Sequence, residues 1–184
     1  QQQAMMQAFC NIIEMANPSM GGHGRRVAQK SRQVAEVMGL EPALAEECAT
    51  AALLHDIGKV AGQPFDANEP ASCGTQSDAL LMHPIRGQAA LLPVESLASI
   101  GLLIRAHHER YDGRGHPDGL AGSDIPLGGR IIAAANMLDH AIGHGAPNGP
   151  ISEKQAFAVI RSQAGRMLDP EVLAALAQTF RLGE

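Results

Sequence analysis

The sequence predicts an all-α protein with one domain, and three observations carry that reading. Apolar residues recur at helical spacing along most of the chain. No alternating strand pattern of useful length appears. Glycine and proline fall at intervals that suit helix ends. The 184 residues suffice for one domain, and 45% hydrophobic against 18% charged residues leaves ample apolar surface for a core.

Element by element, a first helix is expected over 4–16, with Met5, Met6, Phe9, Ile12 and Ile13 on one face; Asn17-Pro18 and Gly21-Gly22 end it. His23 to Met38 repeats Val27, Val34, Ala35 and Met38, and Gly39 stops it. Pro42 suits a first helical turn, and that helix is expected to reach Ile57 before Gly58. Residues 60–76 lose periodicity and read as a loop. Helices follow over Ser77–Leu92 and Val94–Arg110. The stretch 112–129 holds six glycines and two prolines and reads as a loop. Helix resumes over Arg130–Ile142, then over Ser152–Gln163, and lastly from Asp169-Pro170 to Phe180, with Asp as cap and Pro in the first turn. The expected architecture is seven to eight helices in one domain over 1–184, its core about 10–180.

Composition excludes several classes. A net charge of −5 is a poor match to nucleic acid, which needs clustered Lys and Arg. Aromatic residues are 3% with no Trp, too few for base-stacking platforms. Cys10, Cys48 and Cys73 form no CxxC pair and are odd in number, which argues against a disulfide framework or thiolate zinc site and suits a reducing cytoplasm. No run approaches the ~20 apolar residues of a membrane span. The N-terminal Gln1-Gln2-Gln3 has neither an initiator Met nor a basic signal-peptide region, so the chain reads as a fragment.

The eight histidines decide the functional reading. Five are expected at or near helix ends: His23, His55, His83, His107 and His108. One histidine on an apolar face is usually structural; five, one followed directly by a carboxylate, point to a metal site. Imidazole with carboxylate suits Fe, Mn, Zn or Ni. His55-Asp56 is the centre of the pattern. Neighbouring helical residues diverge by about 100°, so both reach one metal region only at a helix end. The bland alternative is a histidine favoured by the negative end of a helix.

In order along the chain stand Gly22-His23-Gly24-Arg25-Arg26-Val27, Ala51-Ala52-Leu53-Leu54-His55-Asp56-Ile57-Gly58-Lys59, Met82-His83-Pro84, the block from His107 to Leu120, Ile125-Pro126-Leu127, Arg130-Ile131-Ile132 and Asn136-Met137-Leu138-Asp139. With these the sequence resembles the HD superfamily of metal-dependent phosphohydrolases, and within it the HD-GYP subfamily. The resemblance covers roughly residues 10–180. It implies an all-α domain with a bi- or trinuclear metal centre that hydrolyses cyclic di-GMP to linear dinucleotide or GMP. Carried over residue by residue, His23, His55, Asp56, His83, His107, His108 and Asn136 are the candidate metal ligands, with Asp56 as the bridge. Lys59 would contact the substrate phosphate, and a water or hydroxide between two divalent transition-metal ions, Fe or Mn first, would attack phosphorus. Lys59, His116 and Arg130 are the candidate substrate-binding residues. The resemblance also implies bacterial signal transduction, an upstream receiver or sensor domain as in response regulators, and a diguanylate cyclase domain as partner.

The chain departs from the family pattern at five places. Asn136 replaces an Asp and brings no charge. Ser19 stands where trinuclear members carry Glu, which favours a dinuclear centre. His116 replaces the Tyr of GYP. Residues 140–145 lack the usual Arg that meets a second phosphate. Glu69-Pro70 replaces a Lys-Pro pair. Two readings stay open: an active phosphodiesterase, or a degenerate member that binds ligand or partner without turnover. Glu109 and Asp112 are expected to support the loop that follows the His pair. Arg130 pairs with Asp112 or Asp139, or reaches a phosphate. Asp139 shares a helix face with Asn136. The 112–129 loop lacks a GxxxxGK[ST] pattern and reads as a lid or partner surface.

Overall fold

The computed structural model describes residues 22–60, 75–143 and 149–182, with Met6, residues 8–12 and Met15. Residues 8–12 are helical. The described chain then forms α1 (His23–Val37), α2 (Pro42–Leu54), α3 (Thr75–Leu91), α4 (Ala98–Ala106), α5 (Leu127–Ile142), α6 (Glu153–Ile160) and α7 (Pro170–Phe180). Short 3-10 turns cover Ile57–Lys59, Glu95–Leu97, Gly122–Asp124 and Arg161–Gln163. Among the described residues there is no strand, only an isolated bridge between Ala164 and Leu168. The all-α expectation is met.

The core follows the helical pattern of the sequence. Val27, Val34 and Ala35 of α1 face Ala51, Ala52 and Leu54 of α2, Ile104 of α4, Ile131, Ile132 and Leu138 of α5, and Val172 and Leu176 of α7 in one buried cluster. Each Val, Leu or Ile buried this way contributes about 1.5–3 kcal/mol. α1 packs on α2, α5 and α7, while α3 packs on α4 and on the Ile57–Lys59 turn. α6 opens with a capping box between Ser152 and Gln155. α7 opens as expected, with Asp169 accepting from the Glu171 N–H at 2.8 Å and Pro170 in the first turn.

Several boundaries differ from expectation: α4 starts at Ala98 instead of Val94 and α6 ends at Ile160 instead of Gln163, and three further shifts bear on the site. α2 ends at Leu54 instead of Ile57, and α4 ends at Ala106 instead of Arg110. Histidine side chains are the cause in both cases, as shown below. α5 starts three residues early, at Leu127, because Pro126 serves as its cap and accepts from the Arg130 N–H at 3.1 Å. The expected 60–76 loop falls almost wholly outside the described residues, as do Ser19, Glu69-Pro70 and residues 144–148. No helix among the described residues is long and apolar enough to cross a membrane.

Candidate metal centre

One local device sets two of the histidines. His55 Nδ1 donates to the Ala52 carbonyl at 2.7 Å, and His107 Nδ1 donates to the Ile104 carbonyl at 2.6 Å. In each case the ring takes the carbonyl three residues back, which a continuing helix would offer to the next residue's N–H. The helix therefore gives way at the histidine. A carbonyl only accepts, so Nδ1 carries the proton and Nε2 keeps its lone pair. His23, the first residue of α1, also commits Nδ1 to an acceptor. Its Nδ1 lies 2.8 Å from Asp139 Oδ2, and its Nε2 is buried with no hydrogen-bond partner. Asp139 is itself held by Arg26, through Nε at 2.9 Å and Nη2 at 3.0 Å. Asp139 thus orients the His23 ring.

His83 corrects the helix-end expectation. It lies inside the 17-residue α3, just before Pro84. What brings it to the site is Gly58. A Cβ on Gly58 would stand 2.0 Å from the His83 carbonyl oxygen and 2.7 Å from the Gly87 nitrogen. Only glycine lets α3 lie directly on the Ile57–Lys59 turn that follows His55-Asp56.

The ligand atoms converge in two groups. His23, His55 and Asp56 place one such atom each within 4.8 Å of one another, and His83, His107 and His108 do the same. Asp56 joins the groups: its Oδ1 lies 3.5 Å from His55 Nε2 and 3.5 Å from His83 Nε2. His83 Nε2 and His107 Nε2 approach to 3.2 Å. Since His107 Nε2 is a lone-pair atom, a cation shared between the two rings would stabilise that approach.

Lys59 closes one side. Its Nζ stands 2.8 Å from Asp56 Oδ1 and donates to Oδ2 at 2.9 Å, with the side chain 33% exposed. Burial opposes ionisation of Asp56, but the His55 ring and the Lys59 ammonium outweigh it and hold the carboxyl well below the usual range. Burial lowers the imidazoles of His55 and His107. It lowers His108 to about 3, with His83 and His116 adding to the effect. These rings are therefore neutral near pH 7, the state a metal ligand needs.

These side chains fit a pair of divalent ions. The donors are five imidazoles and one ionised carboxylate, with no thiolate, a set that suits Fe, Mn, Ni or Zn. Asn136 on α5 adds a buried Oδ1 without a hydrogen-bond partner. Unsatisfied buried polar atoms of this kind are costly, and a bound cation would meet this one.

The remaining expected site residues fall as follows. His116 stacks on His108, with centroids 5.0 Å apart and planes 16° apart, and its backbone N–H donates to the His108 carbonyl at 3.2 Å. Its Nε2 is buried and unpartnered. Glu109, 3% exposed, accepts from the Asp118 and Leu120 N–H groups at 2.6 and 3.0 Å and so fixes the loop over the His pair. A Cβ on Gly115 would meet the Arg110 nitrogen at 2.2 Å, so glycine is required in that fold-back. Arg130 pairs with neither expected partner. Its Nη1 donates to Asp169 Oδ2 at 2.6 Å and its Nε to the Ile125 carbonyl at 3.0 Å. Asp112 belongs to Arg110 and Asp139 to Arg26. The guanidinium of Arg130 thus ties α5 to the start of α7, and the geometry places it in the framework of the domain.

One residue at the site was missed. The His140 ring stands 4.7 Å from that of His23. It follows Asn136 by four residues, about one helical turn, which puts it near the same helix face, as the three-residue spacing does for Asp139.

A helical domain whose histidines and one central aspartate form two metal-competent groups is the kind of protein the HD motif describes. A family model for the HD domain matches residues 7–172, and the chain belongs to that family. The 3'3'-cGAMP-specific phosphodiesterase 2 of Vibrio cholerae serotype O1 is 30% identical over 92% of this chain and 33% of its own length. The cyclic di-GMP phosphodiesterase response regulator RpfG of Xanthomonas campestris pv. campestris is 33% identical over 91% of this chain and 45% of its own length. A solved cyclic GMP-AMP phosphodiesterase of Vibrio cholerae superposes with a TM-score of 0.77 at 16% identity, over 97% of this chain and 48% of that one. The chain therefore spans less than half the length of these relatives.

Proposed function

We propose that the chain is a metal-dependent phosphodiesterase acting on cyclic dinucleotides, cyclic di-GMP first among them, and releasing linear dinucleotide or GMP. The observation that supports it best is the meeting of two three-residue groups at Asp56. His23, His55 and Asp56 would hold one ion and His83, His107 and His108 the other, with Asp56 serving both and the Asn136 carbonyl oxygen completing the shell. Fe or Mn is favoured; Ni and Zn fit the same donors. A bound pair of divalent ions supplies charge neutralisation at the phosphodiester and an active water near neutral pH. Around it the chain's own residues position the substrate. Lys59 keeps Asp56 ionised and presents an ammonium at the mouth. His116 offers an imidazole nitrogen where GYP members have a phenol.

Relatives named for cyclic di-GMP and for 3'3'-cGAMP support the substrate class. The Xanthomonas relative, named a response regulator, supports a signalling role; an upstream domain and a cytoplasmic location belong to the same proposal. The 112–129 stretch, whose last three residues begin α5, is the surface proposed for a diguanylate cyclase partner. The changed substrate side, with Asn136 and His116 in place of Asp and Tyr, sustains a second reading, a domain that binds the dinucleotide without cleaving it.

The test is turnover. Protein loaded anaerobically with Fe(II) or Mn(II) is given cyclic di-GMP, and products are separated by chromatography beside Asp56→Ala. Product from the parent alone supports the enzyme. Binding without product from protein holding both metals supports the second reading.

A further inference from the structure

The family's motifs assign no role to His140, yet it differs from the other rings around it. His23, His55 and His107 are buried and each spends Nδ1 on an acceptor. The His140 side chain is exposed, and no hydrogen bond or ion pair among the described residues engages its ring. It is nevertheless inside the site's reach: its ring is tilted 39° to that of His23, with centroids 4.7 Å apart, and partial burial, then the neighbouring His23 ring, lower its pKa. It does not join the converging ligand atoms of His23, His55 and Asp56. An imidazole close to a metal ligand, outside the ligand group and open to solvent, suits contact with what the metals bind.

We propose that His140 is a phosphate-contacting residue on the open side of the His23–Asp56 group, where its ring N–H and the Lys59 ammonium meet a non-bridging phosphoryl oxygen. The ligand class is a phosphodiester or the phosphomonoester it yields. A neutral imidazole can donate from either nitrogen, and among the described residues no hydrogen bond engages either nitrogen of His140. α5 gives the ring its place: Asn136, one turn earlier, and the neighbouring Asp139 are both buried at the site on the same helix, so His140 is carried on a rigid element, not on a loop.

This inference rests on the two-metal reading but not on cyclic di-GMP being the substrate, and the probe is therefore inorganic phosphate. Its binding to Mn(II)-loaded protein is measured by titration calorimetry, with metal content counted by mass spectrometry, for the parent, His140→Ala and His140→Gln. The expected result is unchanged Mn content with phosphate affinity about tenfold weaker in His140→Ala, as for loss of one hydrogen bond to a charged group. Part of that affinity returns in His140→Gln, whose amide keeps a donor. Where cyclic di-GMP is turned over, His140→Ala raises KM more than it lowers kcat. Unchanged phosphate affinity in His140→Ala, a lost Mn equivalent, or a parent that binds no phosphate would overturn the proposal. A parent that binds phosphate through His140 yet leaves cyclic di-GMP intact sinks the enzymatic reading and leaves this one standing.

Discussion

Acid should destabilise the metal-free protein through its buried rings, and His108 gives the magnitude. In the folded chain burial, then His83 and His116, lower its pKa from 6.5 to about 3. The folded ring is neutral while the unfolded ring takes up a proton below its ordinary value. The unfolded state thus binds more protons between those two values, and stability falls as pH drops through that window. At pH 5, roughly 1.5 units into it, His108 alone costs about 2 kcal/mol at 1.36 kcal/mol per unit. The depressed His55 and His107 act in the same direction. The assay is urea denaturation of chelator-treated protein at pH 7.5 and pH 5, for the parent and His108→Gln. With a slope near 2 kcal/mol per molar urea, the parent's midpoint should fall about 1 M further than the variant's. Equal falls in the two proteins would refute the reasoning, because a glutamine has nothing to protonate in that range.

Three further outcomes follow from named contacts. Gly58→Ala should push α3 off the Ile57–Lys59 turn, with a loss of at least about 2 kcal/mol in denaturation and fewer metal ions per chain, since its Cβ would meet the His83 carbonyl oxygen at 2.0 Å. Asp139→Asn should keep the fold but weaken metal binding about 10–100-fold in chelator competition, because the His23 ring loses its charged anchor. Arg130→Gln should cost about 1–3 kcal/mol of stability by leaving the buried Asp169 carboxylate short of its partner, with KM for cyclic di-GMP unchanged; a raised KM with intact stability would return Arg130 to the substrate.

The parts of this protein that were legible in its sequence are those that local pattern encodes. Val27, Val34 and Ala35 announce the buried face of α1 by spacing alone, and Asp169-Pro170 announces the start of α7 by cap chemistry. The histidines were legible by residue type: five imidazoles and an adjoining carboxylate on an otherwise apolar scaffold have few uses. The ends of α2 and α4 were not legible, because His55 and His107 turn their side chains back onto the helix carbonyls, and periodicity does not register that. Arg130 was assigned the wrong partners because Asp169 lies 39 residues away and only the packing of α5 beside α7 brings them together. His140 was passed over because its part in the site depends on which face of α5 meets α1, a tertiary fact.

The division of six residues into two groups sharing Asp56 is the claim on which the rest depends, and counting metal ions tests it most directly. Protein reconstituted anaerobically with Mn(II) and freed of excess should carry two ions per chain by mass spectrometry. His83→Ala and His108→Ala should each carry one, and Asp56→Ala fewer than the parent. A parent that holds a single ion, or a His83→Ala variant that still holds two, would contradict the account.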